Sequence, residues 1–235
     1  LGVAYATRGP GFTNMLTAIA DAYYDSIPTM FFTAHGSADR NEHMRVLNNQ
    51  EIDTVGLAKQ VTKYAVRIDS ASDLQREVMH AYACAVSGRE GPVFIDILSS
   101  VLNQEIEVQD ELLPEHTAAQ AAEAASDTAK RIRTAQRPVF LIGNGVRDAD
   151  SVSILRKLAK TFEIPILSSR AGQDVVPDAD EYFGFVGSRA TRHSNFIISK
   201  ADLIIAIGNR MSFPTKSKSF RPIVEKSFTV RIEAD

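Results

Sequence analysis

Short apolar runs alternate along this chain with longer amphipathic stretches, and that alternation restricts the fold more than any other feature of the sequence. Runs such as Met30-Phe31-Phe32 and Leu203-Ile204-Ile205-Ala206-Ile207 carry no polar residue on either face. They therefore suit strands covered on both sides, the situation in parallel sheets flanked by helices. The spacing predicts strands near 3–7, 29–33, 64–68 and 92–97, with helices near 13–24, 52–57 and 71–87 between them. In the 13–24 helix Met15, Leu16, Ile19, Ala20 and Tyr23 form the expected apolar face. Ser70 or Ser72 is the expected cap of the 71–87 helix, and Gly88 its stop.

From about 98 to 116 the pattern lapses, and residues 104–116 read as a linker. An alanine-rich helix over 117–135 opens a second series. It has strands at 138–142, 164–167, 203–207 and 228–232, and helices at 148–162 and 190–199. The expected architecture is α/β: two doubly wound, parallel-sheet, Rossmann-like domains over 1–103 and 117–235, with no residue-level repeat between them. Leu1-Gly2 runs straight into a buried-looking strand with no initiator methionine, so a first domain truncated at its amino end is expected, with an unpaired sheet edge.

Bulk properties set limits. A length of 235 residues with 44% hydrophobic content can fill two cores. The net charge of −3, with both signs interspersed, points away from nucleic acid and from a membrane surface. No apolar stretch reaches the roughly eighteen residues of a membrane span, and no signal peptide is recognisable, so a cytoplasmic setting is expected. The single cysteine, Cys84, reads as a buried thiol in a helix.

Several segments carry possible chemistry. Gly9-Pro10-Gly11 lies between a strand and a helix start, where backbone amides can meet a polar or anionic group. Gly143-Asn144-Gly145 begins like a dinucleotide-binding turn, but Asp148 occupies the place of the third glycine. Phosphate binding and close packing without ligand are both open there. Gly208-Asn209-Arg210 follows another strand, at the end where open sheets bind ligands, or is simply a strand exit with a solvated arginine. The stretch 35–50 contains His35, Asp39, Glu42 and His43, but their spacing fits no metal motif and reads as a surface loop. Glu51 and Asp53 read as the acidic start of a helix. No histidine forms a recognisable dyad with serine or cysteine, and hydrolase chemistry has no support.

Taken in order, Ala6 to Asn14, Ile19 to Pro28, Gln50-Glu51-x-Asp53-x-Val55-Gly56, Thr62-Lys63 and Gly91 to Ile97 resemble the thiamine diphosphate-dependent enzymes of the acetolactate synthase group. Arg137 to Gly145, Ile164 to Leu167, Val176 to Asp178, Phe183 to Gly187 and Ala201 to Arg210 resemble that family's central domain, so the likeness covers nearly the whole chain. The resemblance implies the later part of a pyrimidine-binding domain followed by the central domain. It also implies a decarboxylase or carboligase acting on a 2-keto acid with thiamine diphosphate and magnesium, in a homodimer or homotetramer. In such enzymes the catalytic glutamate lies upstream of the position of Leu1, and the magnesium and diphosphate motif follows that of Asp235, so this segment would be inactive alone.

By the same resemblance Gly9, Pro10, Gly11 and Asn14 lie beneath the pyrimidine, and Gln50 reaches toward cofactor or substrate. Phe12 and Asn49 stand where the family has alanine and phenylalanine. Gly143, Gly145, Gly208 and Arg210 match positions near a flavin site that some relatives carry. Met211-Ser212-Phe213-Pro214 replaces the family's Asp-Asp-Arg, which argues against FAD. A nucleotide-binding or oligomerisation module without catalysis is the competing reading.

Overall fold

The computed structural model describes residues 1–36, 50–109, 122–211 and 221–233. The chain divides into two compact units, Leu1–Thr117 and Ala118–Asp235. Each holds one all-parallel sheet with helices against both faces.

In the first unit the strands are β1 (Gly2–Tyr5), β2 (Thr29–His35), β3 (Tyr64–Ile68) and β4 (Val93–Leu98), ordered β1-β2-β4-β3. The helices are α1 (Pro10–Asp25), α2 (Thr54–Ala58) and α3 (Ala71–Val86), with a 3-10 turn at Val101–Asn103. Strand alternation sends Phe31 and Phe94 to the face covered by α1 and α2, where they meet Phe12, Ile19, Ala22, Val55 and Ala58. Met30, Val93, Ile95 and Ile97 go to the opposite face and pack with Ala81 and Ala85 of α3. The rings of Phe12 and Phe94 lie 4.9 Å apart, tilted at 56°, a favourable aromatic geometry.

Helix α1 starts at Pro10, three residues before the periodicity suggests, because a proline suits the first helical position. Its buried seam is therefore Phe12, Ile19 and Ala22, and Tyr23, expected on that face, is exposed. Strand β1 is the sheet edge. Leu1, Val3 and Tyr5 are 56%, 66% and 87% exposed, so it presents an apolar edge.

The second unit carries β5 (Pro138–Ile142), β6 (Ile166–Ser168), β7 (Tyr182–Phe185), β8 (Leu203–Ile207) and β9 (Phe228–Ile232), in the order β7-β6-β5-β8-β9. Its helices are α4 (Ala122–Thr134), α5 (Ala149–Phe162), α6 (Arg192–Lys200) and α7 (Arg221–Lys226). Phe140, Ile142, Ile166 and Ile205 pack toward Leu155 and Ala159 of α5, while Val139, Leu141, Ile204 and Ala206 pack toward Ile198 of α6. The Asp202 carboxylate accepts from the Gln136 and Arg137 amides, 2.8 and 2.9 Å, and so ties the entry of β5 to that of β8.

Helix α7 and strand β7 have no counterpart among the expected elements. The reason for β7 is legible. Gly184 sits at φ 94 in the middle of Tyr182–Phe185, and a glycine in a four-residue run erases the apolar signal. Strand β6 begins at Ile166 rather than Ile164, since Pro165 has no amide to give a sheet. The expected helix over 117–135 begins at Ala122 among the described residues, and its earlier part lies outside them.

Phe94→Ala removes the side chain that both α1 and α2 rest on, and is expected to cost about 3–5 kcal/mol. A denaturant titration monitored by hydrogen exchange of the β2 and β4 amides checks this.

Candidate functional site

Every connection that follows a strand leaves at the same edge of its sheet, and the candidate residues gather there. In the first unit β1 exits through Ala6 to Arg8 into Gly9, the cap residue of α1. Gly9 has φ 58 and is buried. A Cβ on Gly9 would overlap the carbonyl oxygen of Gln50 and crowd its Cβ, so only glycine allows these two segments to touch. Two positions marked from sequence, 41 residues apart, are thus brought into direct contact. Gln50 is itself held at φ 60, a left-handed conformation unusual for a side chain of its kind.

Helix α1 lacks the amino-terminal dressing of its neighbours. No side chain caps it and no acid lies in its first turn. By contrast Asp53, Ser70, Asp148 and Thr191 each accept from an amide of α2, α3, α5 and α6. Ser70, of the two serines considered, is the α3 cap, and Asp53 caps α2 as the acidic start of that helix suggests. Pro10, Thr13 and Asn14 are exposed beside the uncapped end of α1, where a polar or anionic group would meet a favourable dipole.

Beneath this turn lies a polar cluster that sequence reading does not assemble. Asp96, on β4, is 3% exposed and sits beside Thr33 of β2 in register. Its carboxylate accepts from Thr33 Oγ1 at 2.8 Å and from Thr54 Oγ1, the first residue of α2, at 2.6 Å. His35, assigned from sequence to a surface loop, instead ends β2 and is 2% exposed. Its Nε2 lies 2.8 Å from Asp69 Oδ1, and its Nδ1 lies 3.5 Å from Asp96 Oδ1, within ion-pair range but without hydrogen-bond geometry. Arg67 donates from Nε to Asp69 at 2.9 Å.

Burial is the largest single influence on the Asp96 carboxyl and opposes its ionisation. The nearby His35 ring and the hydrogen bonds from Thr54 and Thr33 together outweigh it and hold the group below its ordinary value of 3.8. Asp69 follows the same pattern: desolvation pushes it up, and Arg67 and His35 bring it below 3.8. Asp39, Glu42, His43 and Asn49 lie outside the described residues. Among the described residues no group of three or more His, Cys, Asp or Glu side chains is placed to hold a metal ion, and no helix is long and apolar enough to cross a membrane.

In the second unit the sheet reverses its winding between β5 and β8, and Gly143, Gly145 and Gly208 stand there. They face one another. A Cβ on Gly143 would strike the Gly208 carbonyl, and one on Gly208, at φ 53, would strike Gly145 and the Val146 amide. Asn209 is 7% exposed, donates from Nδ2 to Ile142 O at 3.0 Å and accepts from the Met211 amide at 2.9 Å. Of the two readings open for the Gly-x-Gly turn, close packing accounts for all three glycines. Arg210 is exposed just beyond this knot. Arg147, two residues past Gly145, grips Asp174 through two hydrogen bonds of 2.8 and 3.0 Å and also reaches Asn144, fixing the turn from outside.

Cys84 is half-buried rather than buried, and its Sγ lies 3.6 Å from Nε2 of His80 one helical turn earlier, a pairing the sequence reading passes over. The spacing of four residues on one helix is the signal that would have found it.

Residues 1–57 match the family model for the thiamine pyrophosphate enzyme N-terminal TPP binding domain, and residues 125–235 match that for the thiamine pyrophosphate enzyme central domain. The chain is 34% identical over 217 residues to the acetolactate synthase large subunit of Lactococcus lactis subsp. lactis, covering 89% of this chain and 37% of the relative. It is 34% identical over 217 residues to the acetolactate synthase isozyme 2 large subunit of Escherichia coli K12, covering 89% and 38%. It is 32% identical over 217 residues to the glyoxylate carboligase of Escherichia coli O157:H7, covering 90% and 36%. The chain thus spans little more than a third of the length of the curated relatives it matches.

Two outcomes follow from this geometry. Gly9→Ala carries both the left-handed backbone and the overlap with Gln50. It should cost about 1–3 kcal/mol or more, and more than Gly88→Ala, where φ is 54 but nothing lies within 4 Å of the added carbon. Thermal unfolding of the two variants side by side checks the difference. For Asp96 the native carboxyl binds its proton less readily than the unfolded one, so its network stabilises the fold above the ordinary value. That contribution is lost as pH falls below about 4 through the native value. Asp96→Asn should lower stability at neutral pH by about 1–3 kcal/mol and flatten the acid limb of a plot of Tm against pH.

Proposed function

Because this chain belongs to the thiamine pyrophosphate enzymes, joining part of their N-terminal binding domain to their central domain, we propose that it serves a thiamine diphosphate-dependent decarboxylase or carboligase of 2-keto acids, akin to acetolactate synthase. The observation that carries the reading is the Gly9–Gln50 contact under the uncapped amino end of α1. A flat heteroaromatic ring needs a floor without side chains and polar groups at its rim. Gly9 and Gly11 supply the floor, Pro10 stiffens the turn between them, and Asn14 and Gln50 form the rim. The residues therefore fit the pyrimidine end of the cofactor. Bound thiamine diphosphate supplies an electron sink for the carbon that loses carbon dioxide. This chain's own part is to seat and orient one end of it, with Gln50 as the residue nearest the chemistry. Magnesium, a homodimeric or homotetrameric assembly and a cytoplasmic setting belong to the same proposal, as does a reactive centre completed by protein outside these residues.

FAD is not favoured in it. Met211, which stands where flavin-carrying relatives have an acid, is 2% exposed and packs in the core with Val186 and Ile198. The competing reading, a nucleotide-binding or oligomerisation module, would place its ligand where the second sheet reverses. There Gly143, Gly145 and Gly208 leave no room for a side chain on one another's turns, a contact that close packing alone accounts for. The test is to express in full the reading frame that encodes these residues and to follow carbon dioxide release from pyruvate, glyoxylate and longer 2-keto acids. Turnover is expected with at least one, falling to background when thiamine diphosphate or magnesium is withheld. Absence of turnover across the panel, together with no calorimetric binding of the cofactor, overturns the proposal.

A further inference from the structure

Gln50 holds a backbone conformation that a residue with a side chain keeps only where its surroundings impose it. Gly9 permits that conformation but does not enforce it, since a glycine offers space and no grip. The grip lies four residues on. Thr54 donates to Asp96 Oδ2 at 2.6 Å in a buried setting, and Thr33 from the neighbouring strand holds the other carboxylate oxygen at 2.8 Å. Between Gln50 and Thr54 the chain has little slack. The Thr54 amide closes onto Ile52 O at 2.9 Å, and Asp53 is engaged by the Gly56 amide at 3.0 Å.

Asp96 is also an expensive way to fill a core. A carboxylate at that depth must be fully paired to be tolerated, and an apolar residue of similar size would fill the space without that demand. What the carboxylate adds is direction, because its two oxygens fix Thr33 and Thr54 at once and so set α2 against the sheet. We infer that Asp96 and Thr54 are positioning residues: together they form a buried latch that holds Gln50 against the Gly9 turn and so shapes the floor and rim of the cofactor site. The link to the cofactor rests on the function proposed above. The latch itself does not.

The two parts are tested separately. In the 235-residue chain, hydrogen exchange measured by mass spectrometry on Thr54→Val should quicken about tenfold over residues 8–13 and 50–56, the loss expected for one buried hydrogen bond. Amides of α3 and β5 should be unchanged, and Thr54→Ser should restore the native rates. Unchanged exchange over 8–13, or a uniform rise through the whole first unit, overturns the latch. Should Thr54→Val fail to fold, the wild-type chain at low urea still decides: segments 8–13 and 50–56 should open together with one shared dependence on denaturant, and independent opening overturns the proposal. In the full-length protein, Thr54→Val should raise the thiamine diphosphate concentration for half-saturation about tenfold while Thr54→Ser does not. A loosened turn with unchanged half-saturation overturns the positioning role. A wild-type protein that ignores the cofactor altogether overturns the proposed function and leaves the exchange result to judge the latch.

Discussion

Parallel strand pairing governs this molecule. When all strands of a sheet run one way, every strand exit lies on a single edge, and the backbone there must turn without the ladder hydrogen bonds that satisfy it elsewhere. Gly9, Gly143 and Gly208 all stand at such exits, after β1, β5 and β8. His35 and Asp69 follow or end β2 and β3 on the same side as the Gly9 turn. The candidate chemistry of each unit is therefore collected by topology before any single side chain is chosen. The runs of Val, Ile, Leu and Phe in β4, β5 and β8 serve this arrangement, since strands covered on both faces hold their register through packing on each side.

The two units use their exits differently. In the first, the glycine at the turn admits a segment distant in sequence, and a carboxylate below fixes that segment from inside the core. In the second, two glycine turns press against each other, and Asn209 and Arg147 stitch the contact from within and without. The same residue type thus opens one exit to a neighbour and closes the other. The difference follows from what approaches. A carbonyl from residue 50 leaves the end of α1 exposed, whereas the main chain of residues 208–209 fills the space between its strands.

Much of this was legible in the sequence, and the rest was hidden for identifiable reasons. Both sheets were marked by their apolar runs, and the Gly-Pro-Gly turn by its composition. Strand β7 is hidden because Gly184 breaks a run of only four residues. The polar neighbours of His35 in sequence have the character of a loop. Its neighbours in space are Asp69 and Asp96, 34 and 61 residues away. Asp96 showed no sign of its role, since a carboxylate within an apolar strand has meaning only once Thr33 and Thr54 are seen to flank it. Pairings across strands are set by register, and strands that are apolar on both faces lack the alternation from which it could be read.

The contact between Gly143 and Gly208 also bears on how such a chain can diverge. Each glycine excludes a side chain from the other's turn, so the two positions form one steric unit although 65 residues separate them. Drift at either would be tolerated only after the opposing loop had withdrawn. A change that lengthens the 143–147 or the 208–211 connection would accordingly have to be answered by the other.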